Sequence, residues 1–397
     1  MSKHKGKSIE LLVKFASIAV VSLTLTTALS GQSLAAVSVS TKPGDPLPGL
    51  SAADLALFKS GLADFLEVEE IDEGLGPAYN ATSCGVCHNL PAIGGMGQVS
   101  EIRVATSSSS ANLIHLFSTP NHRCQPSIPP NAVAFARRIP TPLFGAGLVE
   151  AIPDAVIRAL EDPRDRNGDG ITGRASIITD VASGQQRVGR FGWKAQQATL
   201  LAFAGDAYRN EMGITNDLFP DESAFGFTAA QLALCDPATD PEDRRDPATG
   251  LRGIDQFSNF MRLLAPISRA PLSNTAQHGA DLFNSIGCAT CHVPVLQTGS
   301  NANPALDRKP VPAFSDFLLH DVGTGDGMQQ AAAAANEIRT APLWGLRFRR
   351  PLLHDGRSLY PVDAIQQHGN EAQGAKSRFN RLSSSDEQAL LAFLNSL

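Results

Sequence analysis

Six cysteines and nine histidines are the residues of this 397-residue chain whose types and spacing can do chemistry. Four of the cysteines fall in two identical frames, Cys84-Gly-Val-Cys87-His88 and Cys288-Ala-Thr-Cys291-His292. Two thiols one helical turn apart can each bond a vinyl group of the same porphyrin. The adjacent imidazole then lies under the iron as an axial ligand. The pattern points to two covalently bound c-type haems, attached through Cys84, Cys87, Cys288 and Cys291, with His88 and His292 on iron. A zinc site would tend to pair such cysteines without a fixed following histidine. A redox dithiol would follow a strand in a βαβ unit. Neither context is visible.

The elements that must position these motifs read as helices. Ser51 can cap the first, with Asp54 three residues on and Leu55, Phe58, Leu62 and Phe65 at helical spacing. Before the second motif Asn274 can cap, with Gln277 three residues on, and Ala276, Leu282, Phe283 and Ile286 form an apolar face. A helix followed by a haem-binding loop is the order of a cytochrome c domain. Pro142-Leu143-Phe144-Gly145 lies 54 residues after His88, and Pro342-Leu343-Trp344-Gly345 lies 50 residues after His292. That repeat argues for a duplicated plan. A last helix has a capping box in Ser384 and Glu387, with Leu390, Leu391, Leu394 and Leu397 on one side. The expected fold is mainly α, with two cytochrome c-like haem domains at residues 36–268 and 269–397. The first is enlarged by an insertion at roughly 155–250, in which residues 193–210 read as helix and 236–252 as surface loop. Strand content should be low.

Residues 1–35 read as a signal peptide. Lys3, Lys5, Lys7 and Lys14 supply a basic start, Phe15 to Leu29 an apolar core, and Ser33-Leu34-Ala35 the small residues for cleavage near Ala35. The rival reading is a retained anchor, but the run is shorter than the ~20 residues of a span. It also holds Ser17, Ser22, Thr24, Thr26 and Thr27. The expectation is a periplasmic protein with no stable membrane span after cleavage. A content of 43% hydrophobic and 18% charged residues excludes collagen-like, coiled-coil and low-complexity classes. A net charge of −6 argues against a nucleic-acid partner held by basic patches. In an exported chain the remaining pair, Cys124 and Cys235, is expected to form a disulfide, with two buried free thiols as the alternative.

The two motifs, the repeated tetrad and the string Leu353-His354-Asp355-Gly356-Arg357 together resemble the bacterial dihaem cytochrome c peroxidases and the enzyme that matures methylamine dehydrogenase. The chain more closely resembles the dihaem oxidoreductase family related to them. Asp72-Glu-Gly-Leu-Gly-Pro77, Gly189-Arg-Phe-Gly-Trp193-Lys-Ala195 and His320-Asp-Val-Gly323 carry that likeness. The resemblance implies an electron relay, with His88 on the haem that reacts with peroxide and His292 on the haem that passes electrons. It implies a small c-type cytochrome or cupredoxin as donor, and hydrogen peroxide or a protein side chain as substrate.

In the relatives the distal ligand of the second haem follows the His-Asp-Gly string by one helix, as Met or Tyr. Here that position holds His368, at the end of a helix beginning at Pro361. Bis-histidine ligation is expected. A simple helix C-cap is the bland reading, and Met328 is the rival ligand. For the first haem, His115 and His122 are candidate sixth ligands. Glu150 is the candidate catalytic proton carrier, by analogy with the acid that serves peroxidases, against a solvated helix-start carboxylate. Trp193 and Trp344 are candidates for an electron relay between the haems, against ordinary burial. Asp165, Asn167 and Asp169 have the spacing of a calcium loop. Ser176 stands where the bidentate Glu would be, so a metal-free Asx turn competes. Two function classes remain: a peroxidase-like oxidoreductase, which needs one open haem, and a dihaem electron carrier, which has two saturated ones.

Overall fold

A computed structural model describes residues 40–107, 109–119, 124–235 and 244–397. The signal-peptide expectation, His122 and much of the expected surface loop lie outside them.

Two helix pairs carry the two motifs, and they are built alike. Helix Ala52–Leu66 crosses helix Gly253–Leu263, and helix Asn274–Ser285 crosses helix Ser384–Leu394. Each crossing is closed by a glycine that has no room for a methyl group. A Cβ on Gly61 would stand 2.3 Å from the Gln256 carbonyl oxygen, and one on Gly279 would stand 1.9 Å from that of Ala389. Four residues on, one helical turn, each helix presents a phenylalanine to the motif histidine. Phe65 lies 6.1 Å from the His88 ring and Phe283 lies 6.5 Å from the His292 ring, centroid to centroid. Phe260 and Phe393 complete the two stacks at 4.7 and 5.3 Å. Burying each such ring stabilises the crossing by roughly 1.5–3 kcal/mol.

Capping fixes where these helices start. Ser51 forms the expected capping box with Asp54. The second and last helices begin one residue earlier than the sequence suggested, capped by Ser273 and Ser383. In both places two adjacent polar residues could cap, and the first of them does.

The mainly α expectation is overturned. The chain is 32% helical with 15% strand, a mixed α/β fold. The largest sheet has three antiparallel strands, Ser109–Ile114, Glu101–Thr106 and Ala132–Arg138, with the Glu101 strand in the middle. Its register sets Glu101 opposite Arg138 and Val104 opposite Phe135. On the strand Ala132–Arg138 exposed Val133, Phe135 and Arg137 alternate with inward residues. Short two-stranded ribbons account for most of the remaining strand, and in the 193–210 segment helix begins only at Leu200. Leu200–Ala207 is α-helical and continues as a π-turn, Tyr208–Met212.

Among the described residues no helix is long and apolar enough to cross a membrane. Cys124 and Cys235 form the expected disulfide, with a Cα–Cα distance of 6.1 Å.

Candidate functional site

Both motif loops close in the same way. Ser83 accepts the Gly85 N–H and starts the single turn Cys84–Cys87, and the His88 N–H donates to the Cys84 carbonyl at 3.1 Å. In the second loop Gly287, at φ 88°, starts the turn, and the His292 N–H donates to the Cys288 carbonyl at 3.0 Å. The imidazoles are then locked. His88 Nδ1 donates to the Gly95 carbonyl at 2.9 Å, and His292 Nδ1 donates to that of Phe314 at 3.0 Å. Because a carbonyl can only accept, the tautomer is fixed and Nε2 keeps its lone pair. The tetrads support these anchors. Leu143 N–H binds the Gly94 carbonyl and Leu343 N–H binds the Ala313 carbonyl, both at 2.8 Å. Each tetrad thus holds the residue just before the one that holds the histidine.

The two motifs open onto two cavities, of about 1170 and 1580 Å³ of atom-free space including their openings to solvent. Cys84, Cys87 and His88 line the first; Cys288, Cys291 and His292 line the second. The donors fit haem. Burial holds the Cys84 and Cys87 thiols at about 12 and Cys288 at about 11, so they stand as neutral thiols rather than metal-binding or redox-active thiolates. Burial also pushes the His88 imidazole down, and burial together with nearby His368 lowers His292 to about 4, which keeps both in the neutral form that binds iron.

The cavities differ in what else they hold. Among the described residues His88 is the only histidine lining the first, and carboxyl groups face it: Glu101, Asp206 and Glu211. Burial, and then the charge of Glu101, raise Glu211 to about 8. Glu101 is held below its ordinary value: burial opposes its ionisation, but Arg103 and Arg138 outweigh that. Glu211 accepts from Asn80 Nδ2 at 2.6 Å and hydrogen-bonds Glu101. Within the pair Glu211 is thus the weaker acid and Glu101 the stronger.

Among the described residues, four histidines line the second cavity: His292, His320, His354 and His368. His320 is committed elsewhere, with Nε2 on Asp316 at 2.9 Å and Nδ1 on Glu371 at 2.7 Å. Burial disfavours its charge, yet these partners raise it to about 12. His368 repeats the arrangement of the two motif histidines. It ends the helix Pro361–Gln367, and its Nδ1 donates to the Ala364 carbonyl at 2.7 Å, leaving Nε2 as an acceptor. The helix-end hydrogen bond and ligand readiness are therefore one geometry rather than alternatives.

Trp193 lines both cavities. Its Nε1 donates to the Ile139 carbonyl at 2.8 Å, and its ring lies edge-on to His354 at 6.2 Å. Trp344 instead packs against Gly145, where a Cβ would be 2.7 Å from the indole, and it lines neither haem-sized cavity. Glu150 also lines neither. It accepts the Leu200 N–H and the Arg262 Nε–H, both at 2.7 Å, and so joins three helices. Met328 is fully buried against Ala105 and Ala136, outside both cavities. His115 is buried with Nε2 on the Asn210 carbonyl at 2.8 Å, and it does not line the first cavity. The Asp165, Asn167 and Asp169 loop is exposed. Its side-chain oxygens accept backbone N–H groups of Gly170, Asp169 and Ile171 at 2.9–3.1 Å.

Sequence reasoning missed Glu211. It sits on the π-turn Tyr208–Met212, and such turns gather at functional sites. Nothing in residues 208–212 announces one. It also missed Glu101, Arg103 and Arg138, which the three-stranded sheet delivers to the first cavity.

A family model described as "Di-haem oxidoreductase, putative peroxidase" matches residues 125–397. The match includes the second motif, Trp193 and His368, and the first motif precedes it. Among solved structures the chain is similar to the diheme peroxidase BthA from Burkholderia thailandensis, at 15% identity over 90% of this chain and 89% of that one, with a TM-score of 0.46. It is similar to hydrazine synthase from Kuenenia stuttgartiensis at 13% identity, over 99% and 100% of the chains, with a TM-score of 0.44. A MauG-like protein associated with microbial copper homeostasis shares 17% identity over 64% and 89%, with a TM-score of 0.33. No curated protein matches. With a match over more than half of its length, and two cavities whose donors suit haem, this chain belongs to the dihaem oxidoreductase family and is a peroxidase-like, haem-dependent oxidoreductase.

Proposed function

We propose that the chain is a periplasmic c-type dihaem enzyme that reduces hydrogen peroxide to two waters. It would consume two protons and two electrons, the electrons coming from a small c-type cytochrome or cupredoxin. Cys84 and Cys87 carry one haem by thioether bonds, and Cys288 and Cys291 carry the other. When bound, the haems supply the iron that accepts and passes electrons. His88 and His292 would each hold an iron, and His368 would be a further ligand for the haem held by His292.

The observation that carries this reading is the asymmetry of the cavities. One has an anchored imidazole, His368, prepared to saturate its iron. The other has no second histidine among the described residues and instead holds the Glu101–Glu211 pair. A neutral acid beside a carboxylate can give one proton and take another, which is what splitting a peroxide bond asks of the protein. We assign proton transfer to Glu211 with Glu101. Glu150, with both oxygens engaged by Leu200 and Arg262, is assigned a structural role. Trp193 is assigned to electron passage because it lines both cavities. At Asp165, Asn167 and Asp169 one oxygen of each side chain already accepts a backbone N–H, an Asx-turn arrangement that needs no metal.

The test is a rapid-mixing experiment on the reduced holoprotein. Stoichiometric oxidation by hydrogen peroxide is expected. An absence of reaction in every redox state would leave an electron carrier.

A further inference from the structure

Among the described residues, two guanidinium groups beside the second cavity make no ion pair. Arg339 is 5% exposed and Arg349 is 8% exposed, and both line the cavity. Arg339 donates from Nε to the Gly192 carbonyl at 2.8 Å and from Nη1 to the Thr340 carbonyl at 3.0 Å. Arg349 donates from Nη1 to the Pro342 carbonyl at 2.7 Å. Their other N–H groups have no protein acceptor among the described residues. Neither makes an ion pair within 4 Å, unlike Arg138 and Arg103 at the first cavity, which are paired with carboxylates. The Asp316 charge favours ionised Arg339, but its oxygens already serve His320 and the Leu318 N–H. Burial, and for Arg339 the like charge of Arg349 after it, bring both down to about 10.

Buried unpaired charge is costly, and two like charges side by side cost more. A fold keeps such a pair where a dianion completes it, and a guanidinium fork matches a carboxylate. We propose that Arg339 and Arg349 bind the two propionate carboxylates of the haem carried by Cys288 and Cys291. The inference rests on the haem assignment above. It adds that the propionate edge of this haem faces the wall made by Arg339, Arg349 and Trp193, all of which also line a smaller adjoining cavity. That wall is shared with the first haem's cavity through Trp193. The pair therefore does two things: it fixes the macrocycle's rotation, and it neutralises charge that would otherwise disfavour reduction.

The test uses holoprotein of Arg339→Gln and Arg349→Gln. Intact mass is measured first, then the reduction potentials of both haems, with and without inorganic phosphate. Two haems on each variant, a downward shift of the second haem's potential and an unmoved first haem are expected. Phosphate should change nothing in the wild type. An unmoved second-haem potential in both variants overturns the proposal, as does a wild-type potential that follows phosphate concentration, which would mark a free-anion site. A wild-type mass without haem would sink the haem assignment itself, a separate failure. If a glutamine variant does not accumulate, the Arg→Lys variants decide. They keep charge but lose the fork, so the propionate bending band in the second haem's resonance Raman spectrum should shift, and an unmoved band in both overturns the proposal.

Discussion

Replacing Glu211 with Gln separates a catalytic carboxyl from a structural one, because its effects on stability and on rate have opposite signs. Burial, and then the Glu101 charge, raise Glu211 to about 8 in the folded chain against an ordinary 4.5. The unfolded chain releases that proton as pH passes 4.5, while the folded chain holds it until about 8. The folded state is thus favoured at low pH, and this contribution is lost as pH rises from 4.5 to 8. At about 1.36 kcal/mol per unit, the loss is roughly 3 kcal/mol by pH 7 and at most about 5 kcal/mol above pH 8, with cavity water reducing both. Gln keeps the shape, still hydrogen-bonds Glu101 and cannot ionise. Glu211→Gln should therefore match the wild type in stability near pH 4 and exceed it by up to a few kcal/mol at pH 8. Its peroxide turnover should fall by about 10²–10⁴-fold, the usual worth of a placed proton carrier. Wild-type turnover should decline above about pH 8, where both carboxyls are ionised and no proton is left to give, and the variant should lack that limb. Denaturant melts at the two pH values and steady-state peroxide reduction with a chemical electron donor measure both quantities. A variant that turns over like the wild type, or one that keeps the limb near pH 8, refutes the assignment.

Trp193→Phe should keep both haems and lose about 1 kcal/mol of stability with the Ile139 hydrogen bond, while electron passage between the haems slows in rapid-mixing traces; unchanged passage removes Trp193 from the path. Gly279→Ala forces a methyl group to within 1.9 Å of the Ala389 carbonyl and should destabilise by about 1–3 kcal/mol. In that variant, visible absorbance should report selective damage to the second haem. The disulfide spans 111 residues, so Cys124→Ser with Cys235→Ser should lower stability by about 2–5 kcal/mol in denaturant melts, without changing haem count.

What could be read from the sequence was local. The Cys-x-x-Cys-His turns, the Ser51 capping box and the Pro361 helix ending at His368 depend on neighbouring residues, and the structure holds them as expected. The repeated tetrad was visible, but its purpose was not. Only the fold brings Leu143 and Leu343 against the carbonyls next to those anchoring His88 and His292. The sheet was missed because its middle strand, Glu101–Thr106, mixes charged and apolar residues whose burial depends on partners far along the chain. Glu211 was missed because a carboxyl's titration depends on what surrounds it, here Glu101, which lies 110 residues away in sequence. The partners of Glu150, Leu200 and Arg262, lie 50 and 112 residues away in sequence, beyond the reach of local reading.

Low-temperature electron paramagnetic resonance of the oxidised holoprotein tests the asymmetry of the two cavities most directly. One low-spin ferric signal that His368→Gly abolishes, alongside one high-spin signal of equal weight that the variant leaves in place, is the predicted result. Two low-spin signals of equal weight in the wild type would contradict it.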